Sequence, residues 1–212
     1  MSKRINYLSQ NSKIKAMSGV KTFNFGIPAF RSANGFVTCP FAGTCAKGCY
    51  AKQGAYVWSN VSAAYERRLE LARSPEFVAT IDTEIKRRKI QRVRIHDSGD
   101  FFSPEYLDKW IAIVQLNPLT QFYAYTKSIV FFKGKALPDN FKVIFSEGGK
   151  LDHLIKDSDR HSRIFATLDA LNSAGYADAS KNDENAIGDN PRIGLVYHGH
   201  KSKTFITERV QN

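Results

Sequence analysis

Arg92-Val93-Arg94-Ile95-His96-Asp97-Ser98-Gly99-Asp100 passes without a break from an alternating apolar pattern into a polar turn built around a glycine. A strand over Arg92 to Asp97 that ends in such side chains is what a β/α unit looks like when its C-terminal strand end lines a site. The pattern recurs along the chain. Gln121 to Thr126 reads as a strand ending in Thr126-Lys127-Ser128, and Asn140 to Phe145 as one ending in Ser146-Glu147-Gly148-Gly149. Arg192 to Tyr197 reads as a strand ending in His198-Gly199-His200. Further strands are expected over Lys21 to Pro28 and Arg163 to Thr167. Between them, Val57, Val61, Ala64, Tyr65 and Leu69 fall at helical spacing, as do Phe77, Ile81 and Ile85. Ser74-Pro75-Glu76 and Ser103-Pro104 read as N-caps followed by proline at the first helical position, opening helices to about Arg88 and Gln115.

Strands alternating with helices imply parallel β-α units with right-handed crossovers. Polar clusters at successive strand ends would ring one face, which predicts an α/β fold of the partial (β/α) barrel type. A full barrel takes roughly 250 residues, and this chain has 212. One domain over 1–212 is expected, with 1–20 frayed and 172–191, rich in Ala, Ser, Asn, Asp and Gly, forming a loop insertion.

Lys and Arg outnumber Asp and Glu by 31 to 20, a formal charge of +11. Such a surplus attracts polyanions, nucleic acid above all, and equally describes a solvated basic surface. Met1 to Lys15 is polar and basic and predicts no secretory leader. No stretch approaches the roughly 20 apolar residues of a membrane span, so a cytoplasmic protein is expected.

All three cysteines lie within eleven residues, in Thr38-Cys39-Pro40-Phe41-Ala42-Gly43-Thr44-Cys45-Ala46-Lys47-Gly48-Cys49-Tyr50. An odd, tightly grouped set suits ligation better than a disulfide framework. Three thiolates on a loop can hold a [4Fe–4S] cluster and leave one iron without a protein thiolate. Zinc is the alternative, and needs a fourth ligand such as His96, His198 or His200.

Taken with Arg94-Ile95-His96-Asp97-Ser98-Gly99-Asp100-Phe101 and Phe122-Tyr123-Ala124-Tyr125-Thr126-Lys127-Ser128, the cysteine loop is similar to the phage gene product 88 family, over roughly Phe23 to Gly149. More distantly, three cysteines after the first strand of a parallel β/α domain resemble the radical S-adenosylmethionine superfamily. That resemblance implies a [4Fe–4S] cluster on Cys39, Cys45 and Cys49, with S-adenosylmethionine chelating the fourth iron. It also implies that strand-end residues hold the cofactor: His96, Asp97, Ser98 and Asp100, then Thr126, Lys127 and Ser128, then Ser146 and Glu147. The spacing here is C-x5-C-x3-C where the superfamily has C-x3-C-x2-C, and the aromatic Tyr50 follows the last cysteine instead of preceding it. A phage protein would act in the host cytoplasm, alone or with nucleic acid or a host protein.

Other residues carry two readings each. With Val93 and Ile95 toward the helices, period two turns Arg92, Arg94 and His96 to the opposite face. There Arg94 would hold a carboxylate or form an internal salt bridge with Asp97, Asp100 or Glu147. His96 would be a ligand, a proton donor or a hydrogen-bonded structural residue. Thr126, Lys127 and Ser128 offer donors to a carboxylate or phosphate. Lys86-Arg87-Arg88-Lys89 is a helix end favoured by the dipole or a nucleic-acid contact, and Tyr123 and Tyr125 are core residues or base-stacking platforms.

Overall fold

Phe23 and Phe25, Val93 and Ile95, and Phe122 and Ala124 are buried in one core, so alternate positions of three adjoining strands face the same layer. The computed structural model describes residues 5–17 and 19–197. Its strands are β1 (Thr22–Phe25), β2 (Arg92–Ile95), β3 (Gln121–Thr126), β4 (Phe141–Ser146), β5 (His161–Phe165), β6 (Ala177–Asp178) and β7 (Arg192–Val196). All pairings between them are parallel, in the order β1-β2-β3-β4-β5-β7-β6. The helices are α1 (Ser12–Lys15), α2 (Ser59–Arg73), α3 (Phe77–Arg88), α4 (Pro104–Leu116), α5 (Leu168–Ser173) and α6 (Glu184–Ile187). From β1 to β5 neighbouring strands follow chain order, β7 then lies between β5 and β6, and the sheet curls into a half-barrel with helices.

The convex, helix-covered face holds the larger core. Trp110 of α4 stands edge-on to Phe25 at 5.3 Å and to Phe77 of α3 at 5.2 Å. Ser103 caps α4 as expected, accepting from the Tyr106 amide at 3.2 Å with Pro104 at the first helical position. Ser74 behaves differently. Its amide closes the end of α2 on the Leu71 carbonyl, and α3 opens two residues later than the Ser-Pro pattern predicts.

The concave face carries Tyr123, Ile144 and Ile193, packed against Ala179 and Ala186. Two segments close over it, and both correct the sequence reading. Residues 5–17 are packed, not frayed: Leu8 joins the helix-side core, Ile14 is buried, Ser9 pairs with Asn24 of β1, and Asn11 caps α1. Arg88 and Arg87, at the end of α3, hold this segment through the Leu8 carbonyl at 2.7 Å and the Asn6 side chain at 2.7 Å. The stretch 172–191, expected as a loop insertion, has elements of its own. It contains β6 and α6 and buries Asp183 completely.

Candidate functional site

The site grows from the long connection between β1 and α2. At its start, the Ile27 amide bonds the Ser98 carbonyl at 3.0 Å, and the Asp100 amide bonds the Thr38 carbonyl at 3.1 Å, fixing Cys39 beside the end of β2. The loop then crosses to the end of β4, where the amides of Gly43 and Cys45 both donate to the Gly148 carbonyl, at 3.1 and 3.2 Å. A Cβ on Gly43 would meet that carbonyl oxygen at 2.8 Å, so only glycine permits this approach. Asp152 holds the receiving turn by accepting from the Gly148 and Gly149 amides, each at 2.8 Å. Tyr50 returns the loop to β2 by donating its hydroxyl to the Asp97 carbonyl.

Cys39, Cys45 and Cys49 are free and half-buried on this docked loop. Burial, then the charges of Asp100 and Cys49, push the Cys39 thiol up to about 12. Cys49 is raised by burial and by Cys45, against the pull of Lys52 and Lys127. Cys49 thus interacts electrostatically with Cys39 and with Cys45, and has two lysines nearby. Among the described residues no group of three His, Cys, Asp or Glu side chains is placed to hold a single metal ion.

The remaining strand-end residues do not form one ring. Asp100 is saturated: it accepts from Thr126 Oγ1 at 2.6 Å and from the amides of Phe101 and Lys127, each at 2.8 Å. Ser128 completes this clasp through the Phe101 carbonyl, at 2.7 Å. Asp100, Thr126 and Ser128 therefore join β2 to β3 and offer little to a ligand. His96 departs from the expected face because its φ of 64° ends the alternation of β2. Its ring lies among Phe101, Tyr106 and Trp110 in the helix-side core, with Nε2 at 3.0 Å from the Tyr106 hydroxyl. Burial lowers it to about 3, which keeps the imidazole neutral.

Lys127 does reach the rim, donating to Ser146 Oγ at 2.7 Å, while Glu147 pairs with Arg163 at 2.7 Å. Asp97, Ser98 and Glu147 line three separate cavities of about 900, 340 and 560 Å³. His198 and His200 lie outside the described residues.

The largest of these three cavities lies on the concave side under the cysteine loop, which contributes Tyr50 and Tyr56 to its wall. Asp97 is buried there, accepting from the Tyr65 hydroxyl at 3.0 Å and the Asn11 amide nitrogen at 3.2 Å. Arg94 also lines it, and its internal partner is Asp183, none of the three carboxylates expected. Asp183 accepts from Arg94 Nη1 at 2.8 Å, Lys13 Nζ at 2.7 Å and the Tyr123 hydroxyl at 2.9 Å. Burial would raise this carboxyl, but Arg94 and Lys13 outweigh it and hold it below its ordinary range. With Tyr123 and Tyr125 both directed at Asp183, neither is a base-stacking platform.

Sequence reasoning missed Lys13, Tyr56, Arg68 and Asp183 at this cavity. The one local signal was the cap-like Asn182-Asp183-Glu184 ahead of Ala186 and Ile187.

A family model described as gene product 88 matches residues 3–210. The Gene 88 protein of Mycobacterium phage L5 is 30% identical, the match covering 96% of this chain and 94% of the relative. The Gene 88 protein of Mycobacterium phage D29 is 27% identical over the same shares. No solved structure matches.

Proposed function

The chain belongs to the gene product 88 family, and from that premise we propose that it binds one [4Fe–4S] cluster through Cys39, Cys45 and Cys49, as a radical-S-adenosylmethionine-like protein of the host cytoplasm. The observation that carries this reading is the docking of three free thiols, on one loop, across the C-terminal ends of β2 and β4. In a cubane each thiolate binds its own iron, so the sulfurs need not converge on one ion as a zinc site requires. His96, one candidate fourth ligand for zinc, is turned into the aromatic core.

Unligated, Cys39 and Cys49 keep their protons at neutral pH because burial disfavours the thiolates. Lys52 and Lys127 favour the anionic, ligating form of Cys49. When bound, the cluster would supply one-electron chemistry and an iron open to an exogenous ligand. On the protein side, Lys127 and Ser146 are the rim residues suited to the carboxylate of that ligand, S-adenosylmethionine in this reading, and the Tyr50 hydroxyl anchors the loop to β2. No helix among the described residues is long and apolar enough to cross a membrane.

Anaerobic purification with iron, sulfide and zinc analysis tests the reading. Iron and sulfide in equal amounts are expected, falling sharply in Cys39→Ala, Cys45→Ala and Cys49→Ala. A paramagnetic resonance signal of the reduced protein that shifts on adding S-adenosylmethionine would support the open iron. Zinc without iron, or metal content unchanged in all three variants, would overturn the assignment.

A further inference from the structure

Arg68 of α2 is 7% exposed and lines the 900 Å³ cavity, yet no carboxylate among the described residues pairs with it. Its Nε donates to the Tyr7 carbonyl at 2.7 Å and its guanidinium lies 5.0 Å from the Tyr65 ring centre. The terminal nitrogens have no hydrogen-bond partner among the described residues. Those nitrogens are not among the fully buried atoms and stay accessible from the cavity, so a bound anion could take charge-assisted hydrogen bonds that water otherwise accepts.

The cavity is cationic as a whole. Lys13, Arg68, Arg94 and Lys181 line it, against the single lining carboxylate of Asp97. Asp183, behind the wall, is shared between Lys13 and Arg94 and cannot neutralise both. Part of the lining is aromatic: the ring centres of Tyr50 and Tyr56 are 5.6 Å apart, and those of Tyr56 and Tyr65 are 5.9 Å apart. Tyr50 is 47% exposed, its hydroxyl tied down and its ring left open. Volumes of about 300–1,000 Å³ are usual for small-ligand sites.

We propose that this cavity binds a nucleoside monophosphate unit, with the phosphate taken by Arg68 and Lys181 and the base packed on the Tyr50 and Tyr56 rings. The inference goes beyond the cluster and does not depend on it. S-Adenosylmethionine carries a sulfonium and no phosphate, so a surplus of cations is not what that cofactor asks for. A free nucleotide and the 5′ end of a single strand present the same chemistry.

Calorimetric titration with deoxyguanosine 5′-monophosphate, deoxyguanosine and inorganic phosphate tests the proposal, on protein with and without bound iron so that failure of the cluster leaves the result readable. The nucleotide is expected to bind at least about tenfold tighter than the nucleoside, and Arg68→Gln and the surface variant Lys181→Ala each to weaken it by about tenfold. A short single strand with and without a 5′ phosphate separates the two sources: preference for the phosphorylated strand over the free nucleotide assigns a strand end, and the reverse assigns the nucleotide. Equal binding of nucleoside and nucleotide, no nucleotide binding, or unchanged affinity in Lys181→Ala together with a folded Arg68→Gln would overturn it.

Discussion

Arg94 and Asp183 are 89 residues apart in the chain and 2.8 Å apart in the fold, an ion pair buried inside the half-barrel. It ties the middle of β2 to the segment that closes the concave face. Replacing Asp183 by Asn keeps the volume but leaves Arg94 and Lys13 without a counter-charge. Loss of one partner of a buried pair costs about 3–5 kcal/mol, and the urea midpoint should fall accordingly. Lys13→Met should cost distinctly less, because Arg94 still satisfies the carboxylate. Equal losses in the two variants would show that Asp183 is not the hub.

His96 sets a pH dependence. Its folded value of about 3 lies below the unfolded value near 6.5, so the unfolded state binds the extra proton between them. The stability contribution is full above pH 6.5 and is lost as pH falls toward 3, at up to about 1.4 kcal/mol per pH unit. Asn tolerates the positive φ. Urea unfolding of His96→Asn at pH 7.5 and pH 5 should therefore show a smaller acid loss than the parent chain, and an identical loss would contradict the assignment.

Gly43 tests how the cysteine loop is held. An added methyl would press on the backbone of Gly148 and Gly149, at 2.8 and 2.9 Å. Gly43→Ala is expected to lift the loop, at about 1–3 kcal/mol of local strain. Amide exchange should quicken at Gly43 and Cys45 while Val93 and Ile95 stay protected; unchanged loop exchange would rule out this docking.

Asp100 joins two strand ends by accepting three hydrogen bonds. Asn supplies only one acceptor oxygen, and each buried donor left unpaired costs about 1–3 kcal/mol. The Asp100→Asn chain should unfold at clearly lower urea even though it removes a buried charge. A neutral or stabilising outcome would mean that the carboxyl is protonated in the fold.

What was legible in the chain was whatever the local pattern controls. The strand expected over Gln121 to Thr126 has those bounds, and α4 opens on Ser103 and Pro104 because cap and proline act within one turn. The rest turns on distant partners. Lys13 and Asp183 sit in polar segments that read as frayed or looped, and only the ion pairs of Asp183 with Lys13 and with Arg94 explain why Asp183 is buried. Period two placed Arg94 on the concave face correctly but carried His96 with it, since nothing in the sequence marks the left-handed turn at that residue. Polar strand ends likewise predicted one ring of ligands, whereas Asp100, Thr126 and Ser128 satisfy one another.

The bridge between Ser9 and Asn24 has a meaning beyond the monomer. A half-barrel, unlike a closed one, has two free borders at which another chain can add a strand. At one border, Ser9 exchanges both backbone hydrogen bonds with Asn24, at 2.9 and 2.7 Å, and so occupies the middle of β1. At the other, β6 is only two residues long. Residues 5–11 thus cover the β1 border as well as forming a wall of the cavity, and a chain shortened past Ser9 would leave the Asn24 backbone groups open to pairing with an added strand.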